Sequence, residues 1–173
     1  MPRFYRTVYF ISVAAAIVSA ASLVFMVGMI ALEIILRSVF STSTFVTAEF
    51  VGYAVAVCTV WSLSYVLEHE QLIRVNLLIS RLPPRVQDLM TAISAFVLCA
   101  SSLGLGWMFW LRVSKAWSRG TVSPSIAAVP IWIPEGMILI GLLILALQSF
   151  AHGLRHLQGY PSPAPRDPQP FTE

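Results

Sequence analysis

Charge is what this chain has least of. Only 11% of its 173 residues are Asp, Glu, Lys or Arg, 57% are hydrophobic, and mean hydropathy is +0.78. A soluble domain of this size could not hide that much apolar surface, which excludes a soluble class and places the chain in a bilayer. Material for metal or redox chemistry is equally scarce. Cys58 and Cys99 each fall near the middle of an apolar run, with no C-x-x-C pattern and no metal-ligand spacing. A free thiol in that setting is a small packing residue. Glycine-rich phosphate loops, nucleophile elbows and paired carboxylates are absent too. The chain is therefore expected to be no enzyme, to hold no metal or cofactor, and to bind no nucleic acid.

Long uncharged runs are what it has instead. Segments free of Asp, Glu, Lys, Arg and His cover Thr7–Leu32, Phe50–Leu67, Leu89–Leu111 and Gly136–Ala151, the last extensible upstream through "VPIWIP". Crossing hydrocarbon takes about 20 apolar residues. The expected fold is an all-α integral membrane protein of four transmembrane helices, spanning roughly 8–36, 50–67, 89–111 and 131–154, in one domain over 1–158. Arg3, Arg6 and "VSA" at 18–20 resemble a secretory signal, but the run continues through "SLVFMVGMIAL", which suits an uncleaved span. With the N-terminus inside, the inner side holds seven basic residues (Arg3, Arg6, Arg74, Arg81, Arg85, Arg155, Arg166) and the outer side four (Arg37, Arg112, Lys115, Arg119). That bias favours cytoplasmic N- and C-termini. Arg112 and Lys115, three apart at a helix end, read as side chains reaching for lipid headgroups. Tyr5 and Tyr9 on one side, and Trp107, Trp110, Trp117 and Trp132 on the other, mark the interfaces.

Ionisable residues avoid the middle of every span, where transporting membrane proteins commonly keep them. Glu33, Arg37 and Glu49 lie near the outer ends of the first two helices, and an ion pair between Arg37 and Glu49 across the loop "SVFSTSTFVTA", or a contact of these residues with a partner, is expected. Glu135 follows Pro134 in the first turn of the fourth helix, where the dipole favours a carboxylate. Ser12, Ala16 and Ala20, and Ala100 and Gly104, form small-xxx-small patterns that either dock another subunit or pack the bundle internally. His69, His152 and His156 end helices. A haem held between His69 and His152 is conceivable, but solvated interfacial imidazoles are the commoner arrangement.

The segment "LEHEQLIRVNLLISRLPPR" is longer than a turn needs to be. On a helical wheel Leu72, Val75, Leu78, Ile79 and Leu82 share an arc of about 120°, with Arg74 and Arg81 opposite and Asn76 at the border. Such a segment, closed by Pro83-Pro84, is expected to lie along the membrane interface over about 71–82. Residues 159–173 hold "PSPAPRDPQP" and are expected to form a disordered proline-rich tail.

Taken in order, "LRSVFSTSTFVTAEF", "HEQLIRVNLLISRLPPRVQDL" and "SPSIAAVPIWIPEGMILIGLLIL" resemble the small membrane subunit of tripartite ATP-independent periplasmic (TRAP) transporters, over roughly Val8 to Leu154. The resemblance marks Arg37, Glu49, Arg74, Asn76, Leu82, Pro83, Ser123, Pro124, Pro130, Trp132, Pro134 and Gly136. It departs at Asn76, where the family commonly carries an acidic residue. It implies a scaffold beside a large sodium-coupled transport subunit of elevator type, in the bacterial inner membrane. A periplasmic binding protein would deliver a carboxylate-type substrate. Two other classes stand beside this one: the membrane anchor of a redox complex, and an independent small transporter. Spin labels placed along 72–82 should report a helical alternation of exposure. Uniform water exposure would remove the interfacial helix.

Overall fold

The computed structural model describes residues 3–69 and 84–158. Four helices form there: α1 Arg3–Phe40, α2 Thr47–Glu68, α3 Pro84–Arg119 and α4 Trp132–Gln158. Each is long and apolar enough to cross a membrane, so the chain is an all-α, four-span protein. The interfacial helix expected over 71–82, with Leu72, Arg74, Val75, Asn76, Leu78, Ile79, Arg81, Leu82 and Pro83, lies outside the described residues, as does the tail over 159–173.

The helix boundaries follow from local chemistry. Pro84 opens α3, a position where its missing N–H would have had no helical partner. Gly120 closes it with φ +59, and the bonds Gly120 N to Trp117 O (3.3 Å) and Thr121 N to Ala116 O (3.2 Å) form a Schellman motif. A short hairpin then returns the chain to α4, through Ser123 N to Val129 O (2.8 Å) and Ile131 N to Thr121 O (3.1 Å). The 41–46 and 120–131 connections share one end of the bundle, the loop end. Tyr5, Glu68, Asp88 and Gln158 gather at the other, the terminal end.

Helix α4 is the shared wall. It packs against α1, α2 and α3, while α1 also packs against α2. The buried seams alternate three- and four-residue steps: Tyr5, Val8, Ser12, Ala15 and Ser19 on α1; Ala92, Ala95, Cys99 and Ser102 on α3. This spacing keeps a straight face on a helix of 3.6 residues per turn, as in coiled coils. A constant step of four overshoots each full turn by about 40°. The small-residue patterns therefore divide. Ser12 is fully buried, but Ala16 is only half-buried, and Ala20, Ala100 and Gly104 face outward. Small seam residues let the backbones approach, which is how helices associate where lipid removes the hydrophobic drive.

A tight approach joins α2 to α4. A Cβ on Gly141 would lie 2.6 Å from Trp61 Cδ1 and 2.9 Å from Val60 Cγ1, and Trp61 Nε1 donates to the Met137 carbonyl at 2.8 Å. Ser19 Oγ donates to the Cys58 carbonyl at 2.8 Å where α1 crosses α2. Gly141→Leu should destabilise the protein by about 1–3 kcal/mol through overpacking. Gly104→Leu, with open space around its Cβ position, should be near neutral. Thermal unfolding in detergent measures both.

Candidate functional site

Two polar clusters stand at the two ends of the bundle. At the terminal end Glu68, the last residue of α2, projects onto α4. Its Oε1 accepts from Arg155 Nη1 and its Oε2 from Gln148 Nε2, and the three residues are 2%, 4% and 2% exposed. These are ionic groups out of water, so the pairing holds them there. Arg155 Nη2 lies 3.0 Å from His152 Nδ1. A guanidinium only donates, so Nδ1 accepts and His152 is neutral with its proton on Nε2. On the same end Tyr5 Oη donates to Gln158 Oε1 at 2.9 Å, and His156 Nδ1 faces Asp88 Oδ1 at 3.3 Å. His69 Nδ1 donates to the Tyr65 carbonyl at 3.1 Å, with the two rings 4.0 Å apart. Polar contacts at this end thus tie α1, α2 and α3 to α4.

At the loop end a single carboxylate gathers the 41–46 connection. Glu33 accepts from Arg37 Nε (2.8 Å), Ser43 Oγ (2.5 Å), Thr44 Oγ1 (2.6 Å), the Thr44 backbone N (3.2 Å) and Thr47 Oγ1 (3.0 Å). It joins the last turns of α1 to the first turn of α2, where the helix dipole favours negative charge. Glu49 accepts from Tyr53 Oη at 2.5 Å, and the Ser123 and Ser125 hydroxyls of the hairpin approach the same carboxylate, though its Oε2 completes no hydrogen bond. Ser125 N donates to Ser123 Oγ at 3.4 Å, so Ser123 also shapes the hairpin turn. Trp132 packs edge-on against Trp117, ring centroids 4.7 Å apart. Below this end a crevice of about 210 Å³ between α1, α2 and α4 is lined by Phe25, Phe50, Tyr53, Val57, Ile133 and Met137 among others. It offers no cation to a carboxylate.

Against this geometry, residues 26–159 match the family model described as tripartite ATP-independent periplasmic transporters, DctQ component. The chain belongs to the DctQ family. Curated proteins and solved structures give no match. Membership in a family of transporter components, together with four helices long and apolar enough to cross a membrane, makes this a multi-pass membrane protein of TRAP transport.

Among the residues marked by resemblance, the DctQ bundle redistributes the partners. Arg37 pairs with Glu33, one turn back on its own helix, and not with Glu49; the i,i+4 geometry is available without closing a loop. Glu49 instead meets the hairpin that carries Ser123. Ser123 is buried, Pro124 exposed and Pro130 half-buried on that hairpin, and Pro134 is buried in the first turn of α4 beside half-buried Glu135 and Gly136. His152 departs from a solvated imidazole, being 1% exposed. Nor does it suit a metal ligand: coordination through Nε2 would move its proton to Nδ1, against the Arg155 N–H. Among the described residues no three His, Cys, Asp or Glu side chains are grouped to hold a metal ion.

The Glu68 cluster was not singled out from the sequence, yet it left a signal. Gln148, His152 and Arg155 follow the same four-three steps as the apolar seam of α4. Arg155→Ala should cost about 3–5 kcal/mol, because it leaves a buried carboxylate uncompensated. The double change Glu68→Met with Arg155→Met should cost far less, and unfolding of the two variants in detergent tests the difference.

Proposed function

We propose that this DctQ component is a non-transporting scaffold that braces the large sodium-coupled subunit of its TRAP transporter. The system would take up a carboxylate-type substrate delivered by a periplasmic binding protein. The observation that carries this reading is where the polar groups lie. Among the described residues, acidic and basic side chains gather at the two ends of the bundle, where Glu33, Glu68, Asp88, Arg155 and His156 link helices or loops to one another. The middle of the spans holds small and apolar side chains, and α1 to α4 run through it unbroken. An anion crossing hydrocarbon needs a cation or the exposed N-terminus of a broken helix. Neither is found at mid-depth among the described residues, so substrate and ion sites belong to the partner.

The rest of the assignment follows the family and the basic bias of the sequence. The protein sits in the bacterial inner membrane with both termini cytoplasmic. The loop end faces the periplasm. There the Glu33 knot and the hairpin with Ser123, Pro124 and Pro130 form a stiff surface beside the docking position of the binding protein. Exposed apolar faces on α1 (Ile17, Val24, Ile34) and α3 (Val97, Leu103, Met108) are available to lipid and to the large subunit.

The test is transport by the large subunit with and without this chain in proteoliposomes. The scaffold reading expects a slower rate and a lower unfolding temperature when the chain is left out. An unchanged rate together with unchanged stability would end it.

A further inference from the structure

Three cations on α3 stand outside every pairing described above. Arg112, Lys115 and Arg119 are all exposed, and among the described residues their side chains make neither a salt bridge nor a hydrogen bond. Steps of three and four place them within an arc of about 60° on the helix. That arc points away from the α4 seam of Ala95, Cys99, Ser102 and Gly106.

Followed toward the centre of the bundle, the same face turns apolar. Met108, Gly104 and Val97 are exposed along it, and Gly104 has nothing within 4 Å of where a Cβ would stand. The depth of the change is marked by aromatics. Trp117 packs on Trp132, and Trp110 is exposed two turns below. Tryptophans of this kind settle at headgroup level, so the cations lie where phosphates lie and the apolar strip lies where acyl chains lie.

We propose that this outward face of α3 is a binding site for an anionic phospholipid. Arg112, Lys115 and Arg119 hold the phosphate, and one acyl chain runs down the shallow strip past Met108 and Gly104. A lipid is cationic-complementary at one end and apolar along its length, as this face is. An acidic soluble protein would match the three charges and nothing beneath them. The site is independent of the scaffold reading, since it needs no contact with the large subunit.

The experiment uses the full chain in phosphatidylcholine nanodiscs with added spin-labelled phosphatidylglycerol or spin-labelled phosphatidylcholine, and reads the relative association of each from the motionally restricted signal. Wild type should prefer phosphatidylglycerol, with the preference reduced at 1 M salt. Each cation near an anionic surface contributes roughly fivefold, so Arg112→Gln, Lys115→Gln and Arg119→Gln together should lower the preference by up to about a hundredfold. Lys115→Arg should retain it, and Arg112→Gln alone should give an intermediate loss. All three side chains are exposed, and far-UV circular dichroism verifies the fold. Equal association of both lipids with wild type, or an undiminished preference in the triple variant, would overturn the proposal. So would a triple variant that keeps its lipid preference while losing co-purification with the large subunit, because a protein would then be the occupant.

Discussion

A carboxylate at the C-terminal end of a helix is on the wrong side of the helix dipole, and one removed from water costs several kcal/mol unless a cation meets it. Glu68 is in both positions, and Arg155 with Gln148 meets it from α4. That contact sets the register of α2 on α4. Glu68 lies against Gln148, 80 residues later in the chain. Two turns back, Trp61 lies against Gly141 at the same offset, with no room for a side chain on the glycine. A slip by one residue would strand the carboxylate and drive the indole into the side chain of Ile140 or Leu142. Polar satisfaction and steric fit therefore select one alignment, and each makes the other more exacting.

The remaining helices are placed around that pair. Tyr5 reaches Gln158 from α1, and Asp88 reaches His156 from α3, so polar contacts bring α1, α2 and α3 to the last three turns of α4. At the loop end Glu33 ties α1 directly to the start of α2. Between these ends the seams of α1 and α3 are built of Ser, Ala, Gly and Cys against the leucines Leu139, Leu142 and Leu145 of α4, with Ser19 on the Cys58 carbonyl as a mid-span polar contact. In lipid the gain from such seams comes from close backbone approach and dispersion, because burying an apolar side chain against another helix gains little over burying it in acyl chains. Direction and register must come from the polar ends.

This division explains what could be read from the sequence. The four spans are a matter of composition over about 20 residues, and local order does not alter them. The pairing of charges was a matter of geometry across helices. Arg37 and Glu49 are opposite charges facing each other over a loop, but Glu33 was already one turn from Arg37, and Thr44 and Thr47 completed its shell. Glu68 and Arg155 looked like the polar edges of two spans, because distance from an apolar run says nothing about which face a residue takes. The seam step was the missing variable. Applied to α4, the four-three spacing puts Gln148, His152 and Arg155 on the buried side, and applied to α1 it replaces Ala16 and Ala20 by Ala15 and Ser19.

The lengths of the helices bear on what the bundle presents to its surroundings. At about 1.5 Å per residue, α1 with 38 residues and α3 with 36 run well past a hydrocarbon layer of about 30 Å, whereas α2 with 22 fits it closely. A helix longer than the layer tilts or projects beyond it, and both long helices are on the outside of the α2–α4 pair. Their outward faces are mostly apolar, and Glu33, Glu49 and Glu68 are engaged with other parts of the same chain. Recognition by a neighbouring helix in the bilayer then rests on shape: where α1 and α3 leave small residues exposed, as at Ala20 and Ala100, a backbone can come close, and where they present Val24 or Trp107 it cannot. A protein organised in this way carries the charges of its described residues at its two ends and leaves the middle of its spans to small and apolar side chains.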